Sequence, residues 1–189
     1  PASAKPLVLY VEDDADTFKL PQLRLQARYE ATNAATDRQA CEALIKHGPD
    51  LYAVLMDIEL QGSLLDGLAL VKAVRGMTPR ATLPSWAQAL PVLPHLPIIV
   101  MTAYVTRYSE AEVKAIGATY FLSKPIDFMR LNLALAQAQN KRVLLGTFKV
   151  VASDNAEEAG PSARGAIVKE VDDADENDDS VLPAQQLEE

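Results

Sequence analysis

Short, continuous apolar runs alternate along the chain with longer segments in which apolar residues recur at helical spacing. Each run is too short for a helix, and an unbroken apolar run is typical of a parallel strand covered on both faces. The runs are Leu7–Val11, Leu51–Met56, Ile98–Met101 and Tyr120–Leu122, and a further short strand is expected near Tyr29–Ala34. The pattern therefore predicts five strands.

The segments that follow these runs have apolar residues three and four positions apart, which is the period of an amphipathic helix. Thr36 and Asp127 can cap the second and the last helix, and Gly48 and Gly76 can end the second and the third. Pro21 should distort the first helix near its first turns. The predicted helices contain Phe18, Leu20, Leu23, Leu25 and Tyr29; Ala40, Leu44 and Ile45; Leu68, Val71 and Val74; the segment from Ser109 to Ile116; and Phe128, Leu131 and Leu135.

Strands that alternate with helices predict an α/β fold with a doubly wound, five-stranded parallel sheet, because each crossover must be long enough to carry a helix. In such sheets ligands bind at the carboxyl ends of the strands. The residues that directly follow each strand are therefore the candidates for a functional site.

One connection is unusually long and rich in proline. The segment 76–97 contains five prolines, so any regular structure there should be brief. Trp86 lies among these prolines, and it either anchors a partner or pins the loop to its own domain. The second interpretation is favoured.

The charge of the chain is unevenly distributed. The net charge is −8, but residues 1–145 contain 15 basic and 14 acidic side chains, whereas residues 146–189 contain 3 basic and 12 acidic ones. We expect a neutral domain over 1–145 and an acidic, flexible C-terminal extension over 146–189, within which "TFKVV" and "AIVKEV" could form a hairpin or dock. No clustered basic face is present, so nucleic acid is not an expected partner.

The composition also indicates which cysteine-based sites and membrane segments the chain can form. Cys41 is the single cysteine, which excludes an internal disulfide and a thiolate metal site. No stretch reaches the roughly 18 to 20 apolar residues that a membrane span needs. The first ten residues lack the features of a signal peptide, so we expect a cytoplasmic protein without membrane insertion.

Polar side chains follow four of the five predicted strands at one edge of the sheet. Carboxylates that converge there would repel one another unless a cation lies among them, and Mg²⁺ prefers such oxygen ligands. An added lysine and hydroxyl could neutralise a phosphoryl group in transfer, with Asp57 as the nucleophile. The residues are Glu12, Asp13 and Asp14 after the first strand, Asp57 after the third, Thr102 after the fourth and Lys124 after the fifth.

Four motifs, "LYVEDD", "LMDIEL", "IIVMTA" and "YFLSKPI", resemble in this order the signature of response regulator receiver domains, over about residues 7–142. The resemblance implies a flavodoxin-like (βα)5 fold with strand order 2-1-3-4-5. It also implies a single-domain response regulator that accepts a phosphoryl group from a histidine kinase or phosphotransfer protein. Such a protein assists its own phosphorylation and dephosphorylation, is not otherwise an enzyme, and signals through contact with a downstream protein.

The resemblance assigns roles to the acidic residues. Asp57 is similar to the phosphoacceptor and is also a metal ligand. Asp13 is similar to the direct Mg²⁺ ligand, Glu12 to a ligand that acts through water, and the main-chain carbonyl of Glu59 to a further ligand. Asp14 is a third acid in the first cluster, so the choice of direct ligand among Glu12, Asp13 and Asp14 stays open.

The resemblance also assigns phosphate-binding and switch roles. Thr102 is similar to the switch hydroxyl, and Ala103 follows it in the same motif. Lys124 is similar to the lysine that pairs with the phosphate, and Phe121 to the switch aromatic. The bond between Lys124 and Pro125 is often cis in the family.

Two segments depart from the family pattern. The loop from Asp57 to Asp66 is longer than usual and lacks the usual proline, so we expect it to move. The insertion 76–97 should lie remote from the phosphate.

Other functions of such a fold, including a flavodoxin that would need a hydroxyl-rich phosphate loop after the first strand, fit the sequence less well. A pseudo-receiver that binds protein without phosphorylation is the main alternative, but the full set of site residues argues against it. A phosphatase of the haloacid dehalogenase type would have Asp-x-Asp after its first strand, whereas Asp57-Ile58-Glu59 follows the third.

Overall fold

Five short strands form one parallel sheet in the computed structural model, which describes residues 4–144. They lie in the order β2-β1-β3-β4-β5, and every neighbouring pair is parallel. This confirms the predicted fold and strand order. The strands are β1 (Leu7–Val11), β2 (Glu30–Ala34), β3 (Ala53–Asp57), β4 (Ile98–Thr102) and β5 (Tyr120–Ser123).

The third strand begins later than the apolar run predicts. Leu51 and Tyr52 are buried, but they follow a short 3-10 turn at Gly48–Asp50 and precede the strand. The Tyr52 hydroxyl donates to the carbonyl of Leu135, 2.9 Å away, so its position is set by the last helix. The strand also ends one residue later than predicted, at Asp57.

Five helices connect or follow the strands. Side chains of the four residues that precede α1 to α4 accept hydrogen bonds from the first turns, and they are Asp14, Thr36, Asp66 and Ser109. Asp127 accepts from Met129 and Arg130 at the start of the last helix. The helices are α1 (Ala15–Leu25), α2 (Asp37–His47), α3 (Gly67–Val74), α4 (Glu110–Ala115) and α5 (Phe128–Leu144).

The sheet separates two apolar cores. Leu9, Val54 and Val100 face one core together with residues of α2, α3 and α4. Tyr10 and Leu55 face the other, together with residues of α1 and α5. Strand residues thus alternate between two covered faces, as a doubly wound sheet requires. Helix α1 continues through Pro21, which is itself buried.

The insertion 76–97 packs along α2. Leu83, Leu90 and Leu96 are buried in the core formed with α2 and α3. The half-buried Trp86 packs against the same core, and the guanidinium carbon of Arg38 lies 5.6 Å from its ring centroid. Trp86 thus pins the insertion to its own domain. The two ends of the insertion join α3 to the start of β4, at the sheet edge opposite the carboxyl ends of the strands.

A single side chain fastens the insertion to the helices on either side of it. Arg75, at the end of α3, donates to the carbonyls of Gly117 (2.8 Å), Leu96 (2.7 Å) and Leu93. Burial lowers the pKa of Arg75 to about 10, so the guanidinium stays charged and all its N–H groups remain donors at neutral pH. Gly117 has a φ of 96°, and a Cβ there would lie 2.6 Å from Cγ of Arg75.

Two further expectations concern the C-terminal extension and the membrane. The predicted acidic extension 146–189, with "TFKVV" and "AIVKEV", lies outside the described residues. Within the described part of the chain, no helix is long and apolar enough to cross a membrane.

We predict that Arg75→Met lowers the free energy of unfolding by about 2–4 kcal/mol, because three carbonyls lose the hydrogen bonds from the partly buried guanidinium. Urea unfolding measures the loss. Arg80→Met is the matched control, since Arg80 lies in the same insertion and makes one exposed hydrogen bond to Gln88, at 3.1 Å. Equal effects of the two substitutions would contradict a clamp at Arg75.

Candidate functional site

The parallel register brings the ends of the strands to one edge of the sheet. Asp57, the last residue of β3, lies opposite Met101 of β4, and Thr102 lies opposite Ser123 of β5. Glu12 directly follows β1, and Lys124 directly follows β5. The strand ends predicted from the sequence thus converge on one site.

Lys124 joins two buried carboxylates. Its Nζ donates to Oε2 of Glu12 and to Oδ2 of Asp57, each at 2.6 Å. Burial raises the pKa of Glu12, and the hydrogen bond from Lys124 opposes this shift. Burial acts to lower the pKa of Lys124, but its hydrogen bonds to Asp57 and Glu12 outweigh that effect and raise it. The lysine is therefore charged at neutral pH.

The carboxylates of Glu12, Asp13 and Asp57 form a cluster that fits a divalent cation. One oxygen from each lies within 4.8 Å of the others. Three carboxylates and one lysine leave two negative charges, which one divalent ion would balance. All the donors are hard oxygens, and Mg²⁺ prefers such ligands over nitrogen or sulfur. The residues present therefore fit Mg²⁺.

Asp14 has a different function from its two neighbours. Its side chain accepts from the main-chain N–H of Asp16 (2.9 Å) and from the hydroxyl of Thr17 (2.8 Å), and so it caps α1. The hydrogen bond from Thr17 is the main reason why the pKa of Asp14 is lowered. Because its oxygens face the helix, Asp14 lies outside the carboxylate cluster. The suggestion that it could be a metal ligand is therefore not supported by its position.

In the loop that follows Asp57, main-chain N–H groups donate to two aspartates elsewhere in the chain. Asp13 accepts from the main-chain N–H of Gln61 at 3.2 Å. Asp37, in the first turn of α2, accepts from the N–H groups of Leu64 and Leu65, each at 2.8 Å. Sequence reasoning missed Asp37, since an acid in the first turn of a helix is ordinary.

The side chain of Glu59, in the same loop, points away from the carboxylate cluster. It forms an exposed salt bridge with Arg107 of the β4–α4 loop at 3.1 Å. The Glu59 carboxylate is therefore paired with Arg107. The resemblance assigns only the main-chain carbonyl of Glu59 to the metal, and that group is separate from this salt bridge.

Helix α3 begins directly against the end of β3. The N–H of Gly67 donates to the carbonyl of Ile58 at 2.9 Å. A Cβ on Gly67 would lie 1.9 Å from the carbonyl oxygen of Asp57, so any larger residue would push Asp57 out of place. The Asp66-Gly67 pair is the sequence signal for this close contact, but from the sequence it marks only the end of the loop.

The residues assigned to the switch lie in β4, in the loop that follows it and in β5. Thr102 is fully buried, and its hydroxyl accepts from the N–H of Tyr104 at 2.9 Å. Ala103 is exposed next to it, and Phe121 is half-buried against the core formed with α2 and α3. The Lys124–Pro125 peptide bond is cis.

We predict that Lys124→Met costs about 3–5 kcal/mol of stability near neutral pH, because two buried carboxylates lose their shared cation. The pKa of Glu12 should then rise further above its ordinary value of 4.5, so the folded variant binds a proton more readily than the unfolded chain. Its stability should therefore increase as the pH falls from about 7 to about 5. Urea unfolding at both pH values measures this.

Lys114→Met is the control for this variant, because Lys114 forms a salt bridge with the exposed Glu110 at 2.7 Å. Its loss should be below about 1 kcal/mol. A stability of the Lys124 variant that falls with decreasing pH would contradict the expected protonation of Glu12.

Comparison with known proteins agrees with this geometry. Residues 8–136 match the family model of the response regulator receiver domain. The polar-differentiation response regulator DivK of Brucella ovis is 29% identical over 124 residues, which are 65% of this chain and 87% of DivK. The transcriptional regulatory protein ZraR of Escherichia coli is 29% identical over 132 residues, or 69% of this chain, but the match spans only 26% of ZraR.

Solved structures show the same fold. The receiver domain of NtrX from Brucella abortus is 27% identical with a TM-score of 0.56, and the match covers 70% of this chain and 98% of that one. A receiver domain protein from Clostridium thermocellum has a TM-score of 0.61 at 18% identity, over 74% of this chain and 98% of that one, which shows the fold alone. Since the family model covers more than half of its length, the chain belongs to the response regulator receiver domain family.

Proposed function

We propose that this receiver domain accepts a phosphoryl group on Asp57 from a histidine kinase or phosphotransfer protein and signals by contact with a downstream protein. The observation that carries the proposal is the 2.6 Å hydrogen bond from Lys124 to Asp57, within a carboxylate cluster that fits Mg²⁺. The similarity to DivK, which is a response regulator of which this chain covers 87%, supports it.

The site residues suit an in-line transfer. An oxygen of Asp57 attacks phosphorus, and the bond from phosphorus to the donor nitrogen breaks. Lys124 already lies beside Asp57, so its ammonium can pair with a phosphoryl oxygen without a large movement. The Thr102 hydroxyl accepts from Tyr104, which leaves its own proton to donate to another phosphoryl oxygen.

A divalent cation would complete the charge balance. Asp13, Asp57 and the main-chain carbonyl of Glu59 would hold Mg²⁺ directly, and Glu12 would hold it through water. When bound, Mg²⁺ supplies positive charge against the developing negative charge on the phosphoryl oxygens. Two carboxylates beside an incoming phosphoryl group would otherwise oppose the reaction.

An apolar groove next to Lys124 supports a protein as the phosphodonor. The groove has a volume of about 510 Å³ and lies between α1 and the β5–α5 loop. Its lining includes Leu20, Pro21, Ile126 and Phe128, with Ala103 and Lys124 at the site. We propose that the donor protein docks against this groove, since its apolar walls meet Lys124, which bonds to Asp57.

The same features favour phosphorylation over a pseudo-receiver. A protein that binds partners without phosphate has no need for two buried carboxylates, because burying charge is costly. Glu12 and Asp57 are 2% and 7% exposed. We further propose that the chemistry of this chain is confined to its own phosphorylation and dephosphorylation, and that its partners are proteins and not nucleic acid.

We predict that acetyl phosphate with Mg²⁺ adds one phosphoryl group to the protein, and that Asp57→Asn abolishes the addition because the nucleophile is lost. Intact-mass spectrometry measures it, and omission of Mg²⁺ should prevent it. Asp16→Asn is the matched control, since Asp16 is an exposed carboxylate close to the site that pairs with Lys19. Phosphorylation retained in the Asp57 variant would place the phosphoacceptor elsewhere.

We predict that beryllofluoride with Mg²⁺ shifts the conformational equilibrium beyond the metal site. The Thr102 hydroxyl should bond to the ligand, and Phe121 should turn inward behind it, because only a differential interaction of this kind can shift the populations. NMR chemical shifts should change at both residues and in α4, while those of Trp86 in the insertion serve as an internal reference. Changes confined to the carboxylate cluster would argue against this switch.

A further inference from the structure

The β3–α3 loop, residues 58–66, is fastened by a carboxylate from a distant part of the chain. Oδ2 of Asp37 accepts from the N–H groups of Leu64 and Leu65, each at 2.8 Å. Oδ1 accepts from the N–H of Arg38 at 2.7 Å, and the N–H of Asp37 itself donates to the hydroxyl of Ser63 at 3.1 Å. Asp37 therefore contacts three consecutive residues of the loop.

The surroundings of Asp37 make these contacts strong. Asp37 is only 5% exposed. None of the salt bridges found among the described residues includes it, so main-chain N–H groups supply its stabilisation, together with the N-terminus of α2. Hydrogen bonds to a buried charge are stronger than those between neutral groups, and their loss leaves that charge unsatisfied. The loop and Asp37 thus depend on each other.

The other end of the same loop lies at the carboxylate cluster. The N–H of Gln61 donates to Oδ2 of Asp13, which leaves the second carboxylate oxygen of Asp13 for a cation. Glu59 lies two residues before Gln61. The hydrogen bond from Gly67 to Ile58 closes the base of the loop. A short run of main chain therefore connects Asp37 to the groups that would hold the metal.

We propose that Asp37 is a positioning residue for the phosphorylation site. It touches neither metal nor phosphoryl group, but it holds the loop so that the Asp13 carboxylate and the Glu59 carbonyl face the cation. The inference rests on the proposed function. The loop is long, so ordering it on metal binding would cost conformational entropy. Asp37 removes that cost by ordering the loop in advance.

The test measures the Mg²⁺ dissociation constant and the rate of phosphorylation by acetyl phosphate at saturating Mg²⁺. Asp37→Ala should weaken Mg²⁺ binding about 10-fold, as is common when a residue that orients metal ligands is lost. The rate at saturating Mg²⁺ should fall much less, because the reacting groups are unchanged. Asp37→Asn should lie between Asp37→Ala and the wild type, since its amide oxygen can still accept from the loop.

Asp127→Ala is the matched control. Asp127 also accepts from main-chain N–H groups at the start of a helix, at 2.9 and 3.3 Å from Met129 and Arg130, but α5 carries no metal ligand. Its Mg²⁺ affinity should equal that of the wild type. Urea unfolding of all the variants shows how much each aspartate contributes to the fold, independently of metal.

The outcomes separate the two proposals. A wild-type protein that neither binds Mg²⁺ nor becomes phosphorylated overturns the proposed function and, with it, this inference. Wild-type phosphorylation together with unchanged Mg²⁺ affinity in both Asp37 variants overturns the inference alone, and a loss of stability in those variants would then mark Asp37 as a structural residue only. Graded weakening from the wild type through Asp37→Asn to Asp37→Ala, with Asp127→Ala unaffected, supports it.

Discussion

The site depends on one shared interaction, in which the ammonium of Lys124 bonds to the carboxylates of both Glu12 and Asp57. We call this pair of bonds the fork. Burying a single carboxylate in a protein is costly, and burying two side by side adds their repulsion. One ammonium, 2.6 Å from each, offsets part of that cost. The fork forms only because the parallel sheet places β1, β3 and β5 with their carboxyl ends at the same edge. The order of the strands therefore determines the charge balance of the site.

Lys124 does not neutralise all the negative charge of the carboxylate cluster. The cluster retains two uncompensated negative charges, which favour a divalent cation and would repel a phosphoryl group in its absence. A phosphoryl group on Asp57 would compete with Glu12 for Lys124, because it presents stronger acceptors. Under the proposed function, phosphorylation of Asp57 would therefore change the ion pairing of Lys124.

Much of this could be predicted from the sequence because it follows from local pattern. Short apolar runs gave the strands, and the polar residues after them gave Asp57, Thr102 and Lys124. Other features could not be predicted, since they depend on which distant atoms come together. Asp14 carries a carboxylate like its neighbours, and only the start of α1 makes it a helix cap. The start of β3 was misplaced because Leu51 and Tyr52 are buried like strand residues but lie between a 3-10 turn and the strand, where the Tyr52 hydroxyl bonds to α5.

The insertion 76–97 and the β3–α3 loop are each held by one charged side chain that bonds to main-chain groups. Arg75 fastens the insertion 76–97 through main-chain carbonyls, and Asp37 fastens the β3–α3 loop through main-chain N–H groups. Neither takes part in the ion pairs found among the described residues. Main-chain partners carry no net charge and do not titrate. Under the proposed function, these attachments would keep their partners while the charge at Asp57 changes, and the response would be directed toward Lys124 and Thr102.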